Sequence, residues 1–258
     1  MNKFNGKVIV VTGASGGIGR AVCAAFGRGG ATVVGTARGD IAETGEKVRA
    51  AGGKFVAIHA DLGAGTQAEA QSLVVRILAQ TGRIDVLVNN AGIIRRAPAV
   101  DFSEADWNDV LRVNLNSPFF LSQAVAKWWL SGGREQSPAA ARLKIVNVAS
   151  LLSFQGGIIV PAYAASKHGI AGLTKALANE WAKERINVNA VAPGYIATEN
   201  TRPLREDVPR NDAILARIPE GRWGEPEDIA GGIGFLSSPE ADYLNGTILN
   251  IDGGWLAR

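Results

Sequence analysis

Cysteine occurs once in the 258 residues, at Cys23. A lone thiol forms no intrachain disulfide, and the Cys and His spacings of a zinc site are missing as well. The two histidines, His59 and His168, lie far apart without a ligand pattern, so both read as structural or exposed and no metal is expected. Basic runs are missing too: 27 Lys and Arg are scattered among 24 Asp and Glu, for a formal charge of +3. That distribution argues against a nucleic-acid partner, while a slight basic excess suits an anionic small molecule. No stretch of about 18 apolar residues is present, so no membrane-spanning helix is expected. The apolar run in "MNKFNGKVIVVTG" is far too short for a secretion signal, which points to a cytoplasmic, reducing setting. Cys23, in "IGRAVCAAF", then reads as packing on a buried helix face.

What the chain does have is apolar residues, 47% of the total, enough for a large core. They come in short runs at 7–13, 31–37, 54–61, 84–92, 143–150, 186–194 and 246–254. Helical patterns fall between them, at about 17–30, 66–80, 104–130, 161–184 and 226–236. Continuous apolar runs suit strands buried on both faces, and strand–helix alternation gives parallel βαβ units. The expected fold is α/β: one domain over 1–258, a doubly wound, Rossmann-type sheet of about seven parallel strands with helices on both faces. Two segments break the rhythm. The loop 131–142, small-residue and Pro-containing, reads as a surface variation. The segment 195–228 is long, polar and irregular, and long loops at strand carboxyl ends are where such sheets place ligand contacts.

"TGASGGIG" (12–19) joins the first strand to the first helix, with spaced glycines Gly13, Gly17 and Gly19. A pyrophosphate can approach such a turn where a Cβ would collide, and the helix N-terminus offers unpaired N–H groups. Further along, "SLLSFQGGIIVPAYAASK" (150–167) carries Ser150, Tyr163 and Lys167. Pro161 suits a helix start, which puts Tyr163 in the first turn, and Tyr163 and Lys167, four apart, then share a face. A nearby ammonium, the positive helix end and an oxidised nicotinamide would each favour the phenolate, so Tyr163 could exchange a proton with an alcohol or carbonyl. Ser150, ending the preceding strand, could hold the reacting oxygen. Asn114, in "VLRVNLNS", falls mid-helix, where asparagine is a poor helix former.

The order of these motifs, with "NNAG" (89–92) and "PGYIAT" (193–198), resembles the short-chain dehydrogenase/reductase family over nearly the whole chain. That resemblance implies an oxidoreductase moving a hydride between a nicotinamide cofactor and a ketone or secondary alcohol. It implies catalytic roles for Asn114, Ser150, Tyr163 and Lys167, with a local kink and a bound water linking Asn114 to Lys167. It implies cofactor contacts at Gly13, Ser15, Gly17, Ile18, Gly19, Arg38, Asp61, Leu62, Asn90, Tyr163, Lys167, Ile196 and Thr198. "NNAGIIRR", "SLLSFQGGI", "RIPEGRWGEPED" and the ending "DGGWLAR" are similar to family members that act on sugar acids. A small sugar acid is therefore the expected substrate, with Arg95, Arg96 and Gln155 as candidate contacts; an arginine can grip a carboxylate with two parallel bonds.

The cofactor expectation is NADP or NAD, with NADP slightly favoured. An acidic residue after the second strand would suit NAD, but Ala37 stands there with Arg38 beside it, where a guanidinium could meet a 2′-phosphate. Asp40 could instead contact a ribose hydroxyl. The resemblance also implies a homotetramer, with "DGGWLAR" near a subunit contact. Two other readings stay open: a carbonyl reductase of the same family acting on another ketone, such as one linked to an acyl carrier protein, and a non-enzymatic dinucleotide sensor.

Overall fold

The fold is described from a computed structural model, for residues 3–136 and 141–257. Seven parallel strands form one sheet: β1 (Val8–Thr12), β2 (Thr32–Ala37), β3 (Lys54–His59), β4 (Val86–Asn89), β5 (Leu143–Val148), β6 (Ile186–Pro193) and β7 (Ile248–Ile251). Their order is β3-β2-β1-β4-β5-β6-β7, so the chain winds outward from β1 in one direction, then from β4 in the other. The seven expected strands are all present.

Successive side chains in β1 feed opposite layers, as strand geometry requires. Ile9 and Val11 enter one core with Val22, Cys23 and Phe26 of α1 (Gly17–Arg28) and Ile229 and Ile233 of α9 (Pro226–Leu236). Val8 and Val10 enter the other, with Leu73 and Ile77 of α3 (Gln67–Thr81), Leu121 and Val125 of α5 (Ser117–Trp128), and Leu177 of α6 (Pro161–Trp181). Cys23 is fully buried there, and burial pushes its thiol up to about 12.

Three departures from the sequence reading concern helices. A short helix, α2 (Ala42–Ala50), lies between β2 and β3 where none was expected. The single helix expected over 104–130 is α4 (Glu104–Leu111) and α5, joined by a π-helical turn, Arg112–Asn116. The segment 195–228 is not irregular throughout: it holds α7 (Arg202–Glu206) and α8 (Val208–Leu215), each with proline in its first turn. The expectation for the loop 131–142 falls partly on residues 137–140, outside those described. Among the described residues no helix is long and apolar enough to cross a membrane, and no cluster of three or more His, Cys, Asp or Glu could hold a metal.

Candidate active site

The carboxyl ends of β1, β2, β4 and β5 open into a cleft of about 560 Å³, within the range of small-molecule sites. Its floor is the β1–α1 turn. Gly13 there has φ +69, in the left-handed region that favours glycine. A Cβ on Gly19 would lie 2.2 Å from the Gly13 carbonyl oxygen and 2.6 Å from the Asn90 side-chain nitrogen. Asn90 fastens the turn by donating to the carbonyls of Thr12 (2.8 Å) and Gly13 (3.2 Å). Thr12 completes the tie: its hydroxyl accepts from the amides of Asn90 and Ala91, both at 3.0 Å. A backbone cradle with no room for a Cβ, at a helix N-terminus, fits the pyrophosphate of a dinucleotide.

Of the residues assigned to the cofactor from sequence, Gly13, Ser15, Gly17, Ile18, Gly19, Arg38, Asp61, Leu62, Asn90, Tyr163, Lys167 and Thr198 line this cleft. Ile196 does not; it packs in the core at 5% exposure, and its carbonyl accepts from the Thr201 hydroxyl at 2.6 Å. Val148 and Ile93 line the cleft too and were missed, since they read as ordinary strand-end residues. At the β2 end, Ala37 and Arg38 both face the cleft. Arg38 is 67% exposed, with its Nε 3.9 Å from Asp61. Asp40 turns away: its carboxylate accepts from the Ala42 amide at 2.8 Å.

Tyr163 and Lys167 line the same cleft. Pro161 does begin α6, and the two side chains share a face, with the Lys167 ammonium 5.5 Å from the phenol ring centre. Lys167 is 4% exposed and donates to the Val148 carbonyl at 2.6 Å. Burial drives its pKa down from 10.5 to about 8. Burial also raises the Tyr163 phenol above its ordinary value, against the opposing pull of the Ser150 hydroxyl and the charge of Arg96. The expected bias toward phenolate is therefore not met by the protein groups alone, because loss of water around the hydroxyl outweighs them.

Ser150 sits between β5 and a 3₁₀ turn, its hydroxyl accepting from the Leu152 amide at 3.2 Å. Asn114 is 1% exposed, inside the π-helical turn. Its side chain clamps Ile93: Oδ1 accepts from the Ile93 amide at 2.8 Å, and Nδ2 donates to the Ile93 carbonyl at 2.9 Å and to Ser166 at 3.2 Å. The π turn lets a poor helix former sit mid-helix with its amide spent on the neighbouring strand end.

The two arginines after "NNAGII" part company. Arg95 pairs with Asp106 at the start of α4, at 3.1 Å. Arg96 crosses to the far wall and donates to the Asn200 carbonyl at 3.0 Å. Gln155 accepts from the Trp255 indole at 3.2 Å. Trp255, in the C-terminal turn, packs within this chain against Leu151, Ile214 and Ile218, with Arg217 stacked 4.0 Å from its ring.

The buried ammonium gives stability a pH dependence. Below pH 8 Lys167 is charged in both folded and unfolded chains, and the folded state bears the full cost of its burial. Between pH 8 and 10.5 the folded group is neutral while the unfolded one still binds a proton, so stability rises with pH across that window. Compared with Lys167→Met, the wild type is expected to gain about 3 kcal/mol between pH 7 and 10.5. Urea unfolding of both at the two pH values checks this; a constant gap between them refutes it.

Residues 7–209 match the short chain dehydrogenase family. The 2-dehydro-3-deoxy-D-gluconate 5-dehydrogenase of Escherichia coli K12 is 50% identical over 255 residues, 99% of this chain and 97% of that one. A crystal structure from Agrobacterium tumefaciens with bound NADP, described as a candidate 2-deoxy-D-gluconate 3-dehydrogenase, is 50% identical with a TM-score of 0.89, covering 100% of this chain and 99% of the other. A gluconate 5-dehydrogenase from Burkholderia cenocepacia, in complex with NADP and tartrate, is 34% identical with a TM-score of 0.89, covering 100% and 98%. With a family match over residues 7–209 and half its residues shared with the Escherichia coli dehydrogenase across 99% of its length, the chain belongs to the short-chain dehydrogenase family.

Proposed function

We propose that this NAD(P)-dependent oxidoreductase acts on a sugar acid, oxidising the 5-hydroxyl of 2-dehydro-3-deoxy-D-gluconate or reducing the corresponding ketone. The observation that supports it most is Tyr163 and Lys167 on one face of α6, lining the same cleft as the glycine turn, with the Ser150 hydroxyl acting on the phenol. The relatives named above supply the substrate class. A reduced-nicotinamide absorbance assay over a panel of sugar acids, with both cofactors, tests it. Turnover is expected with this substrate; turnover confined to neutral or carrier-linked ketones refutes the assignment.

In this reading the dinucleotide lies along the glycine turn and supplies a hydride acceptor or donor at the reacting carbon. Tyr163 exchanges the hydroxyl proton, and Ser150 holds the reacting oxygen against the phenol. Lys167, charged below pH 8, lowers the cost of an anion on Tyr163. Asn114 fixes Ile93 and so the wall of the cleft at the β4 end. Arg96, whose charge already acts on Tyr163 and which has donors beyond the one given to Asn200, meets the substrate carboxylate, whereas Arg95 serves α4. The segment 195–228 covers the substrate, and Gln155 stands beside its Trp255 support. A cytoplasmic homotetramer of one-domain subunits completes the reading.

NADP is favoured over NAD, with both used. Ala37 leaves the position free of the negative charge that would repel a 2′-phosphate, and Arg38 faces the same stretch of cleft. Asp61 shares the guanidinium, which tempers the preference. Arg38→Ala is expected to lower the NADP-to-NAD ratio of kcat/KM by about tenfold, the worth of one charge-assisted contact. A ratio that the substitution leaves unmoved shows that Arg38 does not read the phosphate.

A further inference from the structure

The glycine turn is held from outside the cleft by α2. Thr44, in the first turn of that helix, is fully buried and donates its hydroxyl to the Ala14 carbonyl at 2.7 Å. The next carbonyl, of Ser15, accepts from the Arg20 guanidinium at 2.6 Å. Arg20 is in turn paired with Glu43, the residue before Thr44, at 2.7 Å, and Lys47 steadies Glu43 at 3.1 Å. Two successive carbonyls of the cradle are therefore drawn toward the first turn of α2. Across a trans peptide, the C=O of one residue and the N–H of the next point in opposite directions. Fixing the Ala14 and Ser15 carbonyls outward therefore aims the Ser15 and Gly16 amides the other way, into the cleft that both residues line. Among the described residues neither amide has a protein acceptor. Paired inward-facing amides form an anion-binding concavity. The start of α2 is fixed on its other side by Asp40, directly after the Arg38–Gly39 wall of the same cleft.

We propose that Thr44, with Arg20 as its partner, is a positioning residue that holds the Ser15 and Gly16 amides toward the cofactor pyrophosphate. This rests on the dinucleotide reading of the cleft. It differs from a mere packing role in what it affects: contacts to the pyrophosphate depend on it, while contacts to adenosine and the chemistry at Tyr163 do not.

The test uses calorimetric titration of the whole protein with ADP-ribose, which carries the pyrophosphate, and with adenosine, which does not. Thr44→Val removes the hydroxyl at nearly constant volume. It is expected to weaken ADP-ribose about tenfold, the scale of one charge-assisted bond, and to leave adenosine unchanged. Thr44→Ser restores the bond and should restore the affinity. In turnover, Thr44→Val should raise the cofactor KM equally for NAD and NADP and leave kcat at saturating cofactor as it was. If Thr44→Val does not fold, Arg20→Leu, at a partly exposed site, carries the same expectation. ADP-ribose affinity that stays at the wild-type value, or adenosine affinity that falls in parallel, overturns the proposal. Wild-type protein that takes up no ADP-ribose overturns the dinucleotide reading beneath it, a separate result.

Discussion

Tyr163→Phe is expected to lower kcat by about 100-fold or more, because general acid–base catalysis commonly supplies that much. The substitution removes one oxygen and keeps the ring that lines the cleft. It leaves Ser150 in place, so the serine hydroxyl remains available to a substrate oxygen. The dinucleotide affinity should hardly change, since the glycine turn, Asn90 and the β2 end lie elsewhere in the cleft. Steady-state kinetics beside a direct cofactor titration separates the two effects. A variant retaining more than about a tenth of the wild-type kcat would exclude Tyr163 as the proton-transfer group.

Gly19→Ala should be the most damaging single methyl in the chain. The new Cβ would fall 2.2 Å from the Gly13 oxygen and 2.6 Å from Asn90, both backbone-anchored, so neither can move aside without dragging the turn. Overpacking of this kind typically costs about 1–3 kcal/mol of stability. The displaced turn also loses its fit to the pyrophosphate, and cofactor binding is expected to weaken by about 100-fold, two charge-assisted contacts' worth. Gly16→Ala is the control for stability: its backbone is extended and open space surrounds it. Thermal melts and cofactor titration of both variants decide the matter; equal behaviour of the two would remove the steric explanation.

The strands and the catalytic pair could be seen in the sequence because their signals are local. An apolar run between glycines has few alternatives to a buried strand, and a proline two residues before Tyr163 sets the helix phase that brings Lys167 beside it. The missed helices lack such signals. In α2, "AETGEKVRA", only Thr44, Gly45 and Val48 are buried, so no apolar stripe marks it. In α8 only Ile214 is buried. The apolar pattern runs unbroken through 104–130, and nothing in it tells a π turn from a straight helix. Arg95 and Arg96 are adjacent and chemically identical. What separates them is Asp106 on one side and the carbonyl of Asn200, 104 positions away, on the other.

The strand order has a consequence for how the protein is made. β1 pairs with β2 on one side and β4 on the other, and β4 begins 74 residues after β1 ends. β4 is complete 52 residues after β2 ends, so at about 5–20 residues per second the first βαβ unit waits on the order of 3 to 10 s for that partner to be translated. During this interval β1 offers a fully apolar strand, Val8 to Val11, with an unsatisfied row of backbone donors and acceptors. The nascent chain is then most exposed to pairing with a neighbour on the same polysome. Slowing synthesis lengthens this window and lowering the temperature weakens the apolar contacts within it, so soluble yield should respond to the two in different ways.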